Sequence, residues 1–193
     1  MSDVMQLVNK KIDLEFSTYC EVPDDFMPDL KPYSRAARHA LKKMLKEPEA
    51  HSINVVNHLH LKSDPNILVS LSHTKDMTMA AIGSSKDFKS IGVDIENSKR
   101  IVKPGIEKFF INAHDEILAN QKDSYYLKIW CAKEAIFKAV SPLYQKEDNK
   151  VLVLKDIILN KDKTFNCFHF KGHYDLVLKD INQKTYLIAI AAL

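Results

Sequence analysis

Glycine is scarce in this chain: there are 4 in 193 residues, at Gly83, Gly92, Gly105 and Gly172. Scattered as they are, they assemble neither a GxGxxG turn nor a Walker A loop. Phosphates, if the protein binds them, must be held by side chains or by a metal. Cysteine is equally sparse. Cys20, Cys131 and Cys167 are odd in number and far apart, which excludes a disulfide framework and a CxxC zinc or redox site and points to a reducing compartment. Charge of one sign is missing too, since 28 Lys+Arg stand against 25 Asp+Glu for a net +3. Such a balance lacks the basic groove that nucleic acid requires and argues against a magnesium-dependent nuclease. The N-terminal MSDVMQLVNKKIDLEF has no apolar h-region, and no later run approaches the ~18 apolar residues of a membrane span. The expectation is a cytoplasmic protein with no membrane partner.

What is present is a folding composition, 46% hydrophobic and 27% charged, enough for one generous domain or two small ones. The first thirty residues read as loop, with Pro23, Pro28 and Pro32 crowded among acids. A helix is predicted from Ser34, as N-cap, to Pro48; its apolar side is Ala37, Leu41, Met44 and Leu45, and its remainder is basic. Four strand runs follow, SINVVNHLHL, NILVSLSH, MTMAAIGSS and SIGVDIE, suggesting one antiparallel sheet. Helical patterns resume in IEKFFINAHDEILAN and SYYLKIWCAKEAIFKAV, the latter stopped at Pro142, and strand signals close the chain. The succession helix, strands, helices, strands implies an α+β protein made of two similar halves meeting near residue 100.

Three segments carry candidate chemistry. In Ile91-Gly92-Val93-Asp94-Ile95-Glu96, strand alternation turns the three apolar residues one way and Asp94 and Glu96 the other, roughly 6.5–7 Å apart along one face. Two such carboxylates suit a hard divalent cation, Mg²⁺ or Ca²⁺ rather than zinc; the same six residues also describe a half-buried strand with a wet acidic side. In the second helix, Tyr126, Trp130, Glu134 and Lys138 recur every four residues and form one row. Glu134 and Lys138 are either a third metal ligand with a phosphate clamp or an ordinary i,i+4 pair beside a core tryptophan. Ser70-Leu71-Ser72-His73-Thr74 ends an apolar strand with a polar cluster. His58, His60, His169 and His173 have no third ligand at metal spacing and are set aside.

Taken in order, LSHT, IGVDIE and WCAKEAIFKA resemble the motifs of the 4′-phosphopantetheinyl transferase superfamily: Ser-His-Ser/Thr, then Gly-Val/Ile-Asp-x-Glu, then Trp/Phe-Ser/Thr/Cys-x-Lys-Glu-Ala/Ser-x-x-Lys. The length resembles the surfactin-synthetase and enterobactin type, a monomeric pseudo-dimer of two α+β halves. The resemblance implies halves at 1–98 and 99–193, each an antiparallel sheet packed with helices, with the active site in the cleft between them. It implies Asp94, Glu96 and Glu134 as ligands of Mg²⁺, with Mn²⁺ as a substitute, and coenzyme A as co-substrate. Lys138 is then the lysine on the pyrophosphate, Ser72 and His73 contact phosphates, and Lys133 belongs to the coenzyme A site. Arg35 or Arg38 is matched to the 3′-phosphate.

The implied activity is transfer of 4′-phosphopantetheine to a serine of an apo acyl, peptidyl or aryl carrier protein, releasing 3′,5′-ADP. The alternative is a non-catalytic member binding coenzyme A or a carrier. Glu134 is the first candidate for the base, with Glu116, Asp115 or a metal-activated water as the others. Lys99, Arg100 and Lys103 are expected on the surface that steers an acidic carrier. The sequence departs from the family pattern in lacking a Gly-Lys-Pro segment ahead of the Ser-His motif, where HLHLKSDP stands instead.

Overall fold

A computed structural model describes residues 3–47, 52–115, 124–144 and 150–193. The chain opens on a hairpin of β1 (Asp3–Leu7) and β2 (Lys10–Ser17), where a loop was expected. Its turn residues Val8 and Asn9 both take positive φ, a tight hairpin turn made without the glycine that usually signals one. The loop reading holds only beyond it, between Ser17 and α1 (Pro32–Leu45). This helix starts two residues before Ser34, because Pro32 at its first position has φ preset for a helix and no N–H to lose. It ends on Lys46 in the left-handed conformation; Pro48 lies outside the described residues.

The run 52–61 is not one strand. Positive φ at Asn57 and His58 folds it into the short pair β3 (Val55–Val56) and β4 (His60–Leu61). With β5 (Ile67–His73) and β6 (Thr78–Ser84), these strands build a six-stranded antiparallel sheet in the order β1-β2-β6-β5-β4-β3. The fourth run expected in that sheet, β7 (Ile91–Asn97), pairs instead with β11 (Lys184–Ala192). It forms the edge of a second, five-stranded antiparallel sheet, β7-β11-β10-β9-β8, completed by β8 (Ile157–Leu159), β9 (Thr164–Cys167) and β10 (Phe170–Ile181). Local alternation marks a strand but cannot name its partner, and Ile91, Val93 and Ile95 bury equally well on either sheet. Helix α2 (Tyr125–Val140) covers the second sheet.

Within the described part, the helical pattern over 106–120 yields a 3-10 turn at Glu107–Phe109 and no α-helix, and residues 116–120 lie outside it. Side chains compete with the helix there. Asn112 Nδ2 donates to the Lys155 and Ile157 carbonyls, and the Asp115 carboxylate accepts the Asn112 N–H.

The result is an α+β architecture of four layers, helix on sheet on sheet on helix. One core cluster joins α1 to the first sheet through Ala40, Leu41, Leu61, Val69 and Ala80. A second lies between the sheets, with Ile12, Leu14, Leu68 and Met79 facing Ile91, Val93, Ile95, Ile188 and Ile190. A third joins α2 to the far face of the second sheet through Ala132, Ala135, Ile136, Leu187 and Ala189. Odd residues of β7 therefore face the other sheet, and even residues face α2. No helix among the described residues is long and apolar enough to cross a membrane.

Candidate functional site at the seam between the sheets

The seam is set by a close approach. A Cβ on Gly92 would sit 1.9 Å from the Ala135 carbonyl oxygen and 2.6 Å from the Ala139 nitrogen, so only glycine lets α2 lie this near β7. That proximity brings the even residues Asp94 and Glu96 against the Trp130, Glu134 and Lys138 row of the helix. Both strand carboxylates are buried; the wet acidic side allowed by the sequence is a dry seam.

Lys138 Nζ is the hub. It donates to Asp94 Oδ1 at 2.8 Å, to Ser72 Oγ at 2.9 Å and to the Val93 carbonyl at 3.0 Å. Ser72 Oγ in turn donates to Asp94 Oδ1 at 2.8 Å. Ser70 Oγ accepts the Val93 N–H at 3.0 Å, so β5 satisfies part of the free edge of β7 and fixes the two sheets in register. Asp94 Oδ2 is buried and has no hydrogen-bond partner among the described residues, a position that ordinarily demands one. Glu96 Oε1 accepts the Trp130 Nε1–H at 3.1 Å and is also paired with Arg100, whose guanidinium lies 5.3 Å from the Trp130 ring centre.

Burial pushes the carboxyl pKa of Glu96 and of Glu134 above the ordinary glutamate value, and for both the neighbouring Asp94 adds to the effect. Lys138 and Arg100 pull Glu134 the other way. Its field reaches all four charges, so the five groups form one electrostatic cluster with more acid than base.

His73 points to the opposite face of β5, where it stacks on Tyr33 of α1 with ring centres 4.2 Å apart and planes 6° from parallel. Burial and then the nearby Lys138 charge push its imidazole below the usual value. His73, Tyr33, Glu96 and Arg100 are among the residues that line a cleft of about 900 Å³. Lys138 itself lines a second cavity of about 250 Å³, together with Arg38, His58, Ser70 and Phe137 among others.

The structure thus brings Ser72, Asp94, Glu96, Glu134 and Lys138 together, with His73 and Arg38 at the flanking cavities. It does not bring in two of the expected residues. Arg35 staples the preceding loop, donating from Nε to the Phe26 carbonyl at 3.0 Å and from Nη2 to the Pro23 and Asp24 carbonyls at 2.7 and 3.1 Å. Lys133 is fully buried, with Nζ 2.6 Å from the Phe110 carbonyl and 2.5 Å from Asp115 Oδ2. One residue along a helix is a turn of about 100°, which carries Lys133 away from the seam that Glu134 faces. Asp115, considered as a base, is held in that pair; Glu116 lies outside the described residues. Arg100, expected on a docking surface, is instead committed to Glu96. Its position four residues beyond that acid was the only available signal.

Residues 90–191, more than half of the chain, match the family model described as the 4′-phosphopantetheinyl transferase superfamily. The chain belongs to this superfamily. The match begins at β7 and takes in Asp94, Glu96, Glu134, Lys138 and the second sheet, while Ser72 and His73 of β5 lie ahead of it. Among curated proteins, no relative matches the sequence. Members of the superfamily transfer phosphopantetheine in general, using coenzyme A and a divalent metal.

The donor set at the seam fits that chemistry. Three carboxylates offer only oxygen, the ligand a hard cation prefers, and the orphaned Asp94 Oδ2 is a buried acceptor awaiting a donor or a cation. No three ligating side chains among the described residues already converge into a closed cage. The hydrogen bonds give the reason: Asp94 is drawn toward Lys138 and Ser72, and Glu96 toward Arg100 and Trp130.

Proposed function

We propose that this chain transfers the 4′-phosphopantetheine group of coenzyme A to a serine hydroxyl of an apo acyl, peptidyl or aryl carrier protein, in a reaction dependent on Mg²⁺ or Mn²⁺. The observation that carries this reading is the cluster of buried Asp94 and Glu96 with half-buried Glu134 and Lys138, which Glu96 joins to a large cleft, in a chain of this superfamily. In the transfer, a bond forms between the serine oxygen and the β-phosphorus, and the pyrophosphate P–O bond breaks. 3′,5′-ADP leaves, and the serine proton passes to a base.

Asp94, Glu96 and Glu134 would hold the divalent cation, which when bound neutralises charge growing on the phosphoryl oxygens. Lys138 supplies a fixed positive charge beside them. Ser72 orients Lys138 and Asp94. Glu134 takes the serine proton. His73, held flat by Tyr33, and Arg38, beside Lys138, meet phosphate groups of coenzyme A from the two cavities. Lys133 acts at a distance by tying the segment before residue 116 to α2. The two sheets with their helices act as the halves of a monomeric pseudo-dimer of the surfactin-synthetase and enterobactin type, working in the cytoplasm.

Incubation with Mg²⁺, coenzyme A and an apo carrier protein, followed by intact mass of the carrier, is the direct test. A phosphopantetheine adduct is expected. Its absence with several acyl, peptidyl and aryl carriers would leave the other reading, a non-catalytic member that binds coenzyme A or a carrier.

A further inference from the structure

Arg100 occupies an unusual position for a surface cation. Its guanidinium is half-exposed, yet it is paired with Glu96, a carboxylate only 7% accessible, and it shares the acceptor Oε1 with the Trp130 N–H. The backbone beneath it is pinned. The Ser98 N–H donates to the Thr185 carbonyl at 3.0 Å, the Lys99 N–H to Asn97 Oδ1 at 2.9 Å, and the Arg100 N–H to the Asn97 carbonyl at 2.8 Å. Only the side chain is free to move, and it lies across the flat ring of Trp130.

An arginine stays protonated at any working pH, so it cannot yield Glu96 to another cation by losing charge; it must be displaced. The cleft on which it borders also holds His73 and Lys75, and a guanidinium fork matches phosphate oxygens in pairs. We propose that Arg100 is a shuttling counterion, neutralising Glu96 while no divalent cation is bound and, once displaced, turning along the Trp130 ring to bind a phosphate group of the incoming substrate. This rests on the proposed function for the identity of that substrate, but the displacement itself does not depend on transfer taking place.

Trp130 is the sole tryptophan and touches both partners, so its fluorescence reports the exchange. The full chain is titrated with Mn²⁺ alone, following Trp130 emission and, by electron paramagnetic resonance, free Mn²⁺. In wild type, emission is expected to change with Mn²⁺ occupancy. R100Q, which has no cation to displace, is expected to bind Mn²⁺ about three- to ten-fold more tightly. With Mn²⁺ saturating, R100Q is expected to bind coenzyme A about ten-fold or more weakly, and R100K to recover part of that affinity. Equal or weaker Mn²⁺ binding by R100Q, or Mn²⁺ binding with no response from Trp130, overturns the proposal, as does unchanged coenzyme A affinity. Intact Mn²⁺ exchange without an adduct on any carrier strikes at the transfer reaction and leaves the displacement standing.

Discussion

Helix α2 borders two clusters of charge on adjacent flanks, and they are balanced differently. On one flank, Lys133 faces Asp115 with both side chains wholly inaccessible, one cation against one anion, and the ammonium also donates to the Phe110 carbonyl. On the other, Asp94, Glu96 and Glu134 face Lys138 and Arg100 beside an open cleft. Each cluster leaves one carboxylate oxygen without a partner among the described residues, Asp115 Oδ1 and Asp94 Oδ2. What separates them is net charge and access: the first is neutral and sealed, the second acidic and open to a cation. A matched buried pair holds a segment in place, whereas an acid-rich cluster at a cleft is unfavourable until another positive charge arrives.

The sharpest way to break this contrast is to remove the cation from the sealed pair. K133M strands the Asp115 carboxylate in the core and is expected to cost about 3–5 kcal/mol of stability by chemical denaturation. K133M combined with D115N should recover part of it, while a stability loss no larger than that of a surface substitution would deny the pair its structural role. The mirror experiment removes an acid from the open cluster. E134A is expected to lower adduct formation at least about 100-fold and to leave the metal-free melting temperature unchanged or higher, because a carboxylate held among like charges is gone. A fall in both would place Glu134 with the structural group.

A smaller effect is expected where α2 meets β7. G92A forces a methyl into the Ala135 carbonyl, should cost about 1–3 kcal/mol, and should loosen Lys138 from Asp94, read as a lower adduct rate at equal folded fraction. The gentlest test is pH. Glu96 and Glu134 bind protons more tightly folded than unfolded. The metal-free protein should therefore lose stability as pH rises from the ordinary glutamate value of 4.5 through their raised values. The slope of melting temperature against pH should flatten in E134Q, and Mn²⁺ should restore stability on the neutral side. An identical slope in E134Q would show that Glu134 ionises as freely as in the unfolded chain.

Much of the site could be read along the chain because it rests on local periods. The four-residue spacing of Trp130, Glu134 and Lys138 places them on one row of a helix, and alternation puts Asp94 beside Glu96. Both regularities are properties of the backbone alone. The opening hairpin was hidden because its turn uses Val8 and Asn9 instead of glycine. Within residues 106–115, the helix expected over 106–120 gave way to side-chain bonds from Asn112 and Asp115 whose partners, Lys133, Lys155 and Ile157, are distant in sequence. Arg35 and Arg38 are three residues apart on one helix and look equivalent in sequence. Only the packed loop at residues 23–26 claims the first and leaves the second beside Lys138.

The sequence by itself determined the α+β class, the motifs that identify the superfamily, and which acids and lysine share a helix row or a strand face, since those depend on residue type and short-range spacing. Tertiary structure alone decided that β7 crosses to the second sheet, that Lys133 turns inward while Lys138 turns to the seam, and that Arg100 sits on Glu96. The first is settled by which strand edge pairs with β7 and the others by which charge finds a partner in space, and in each case that partner lies where no local pattern reaches.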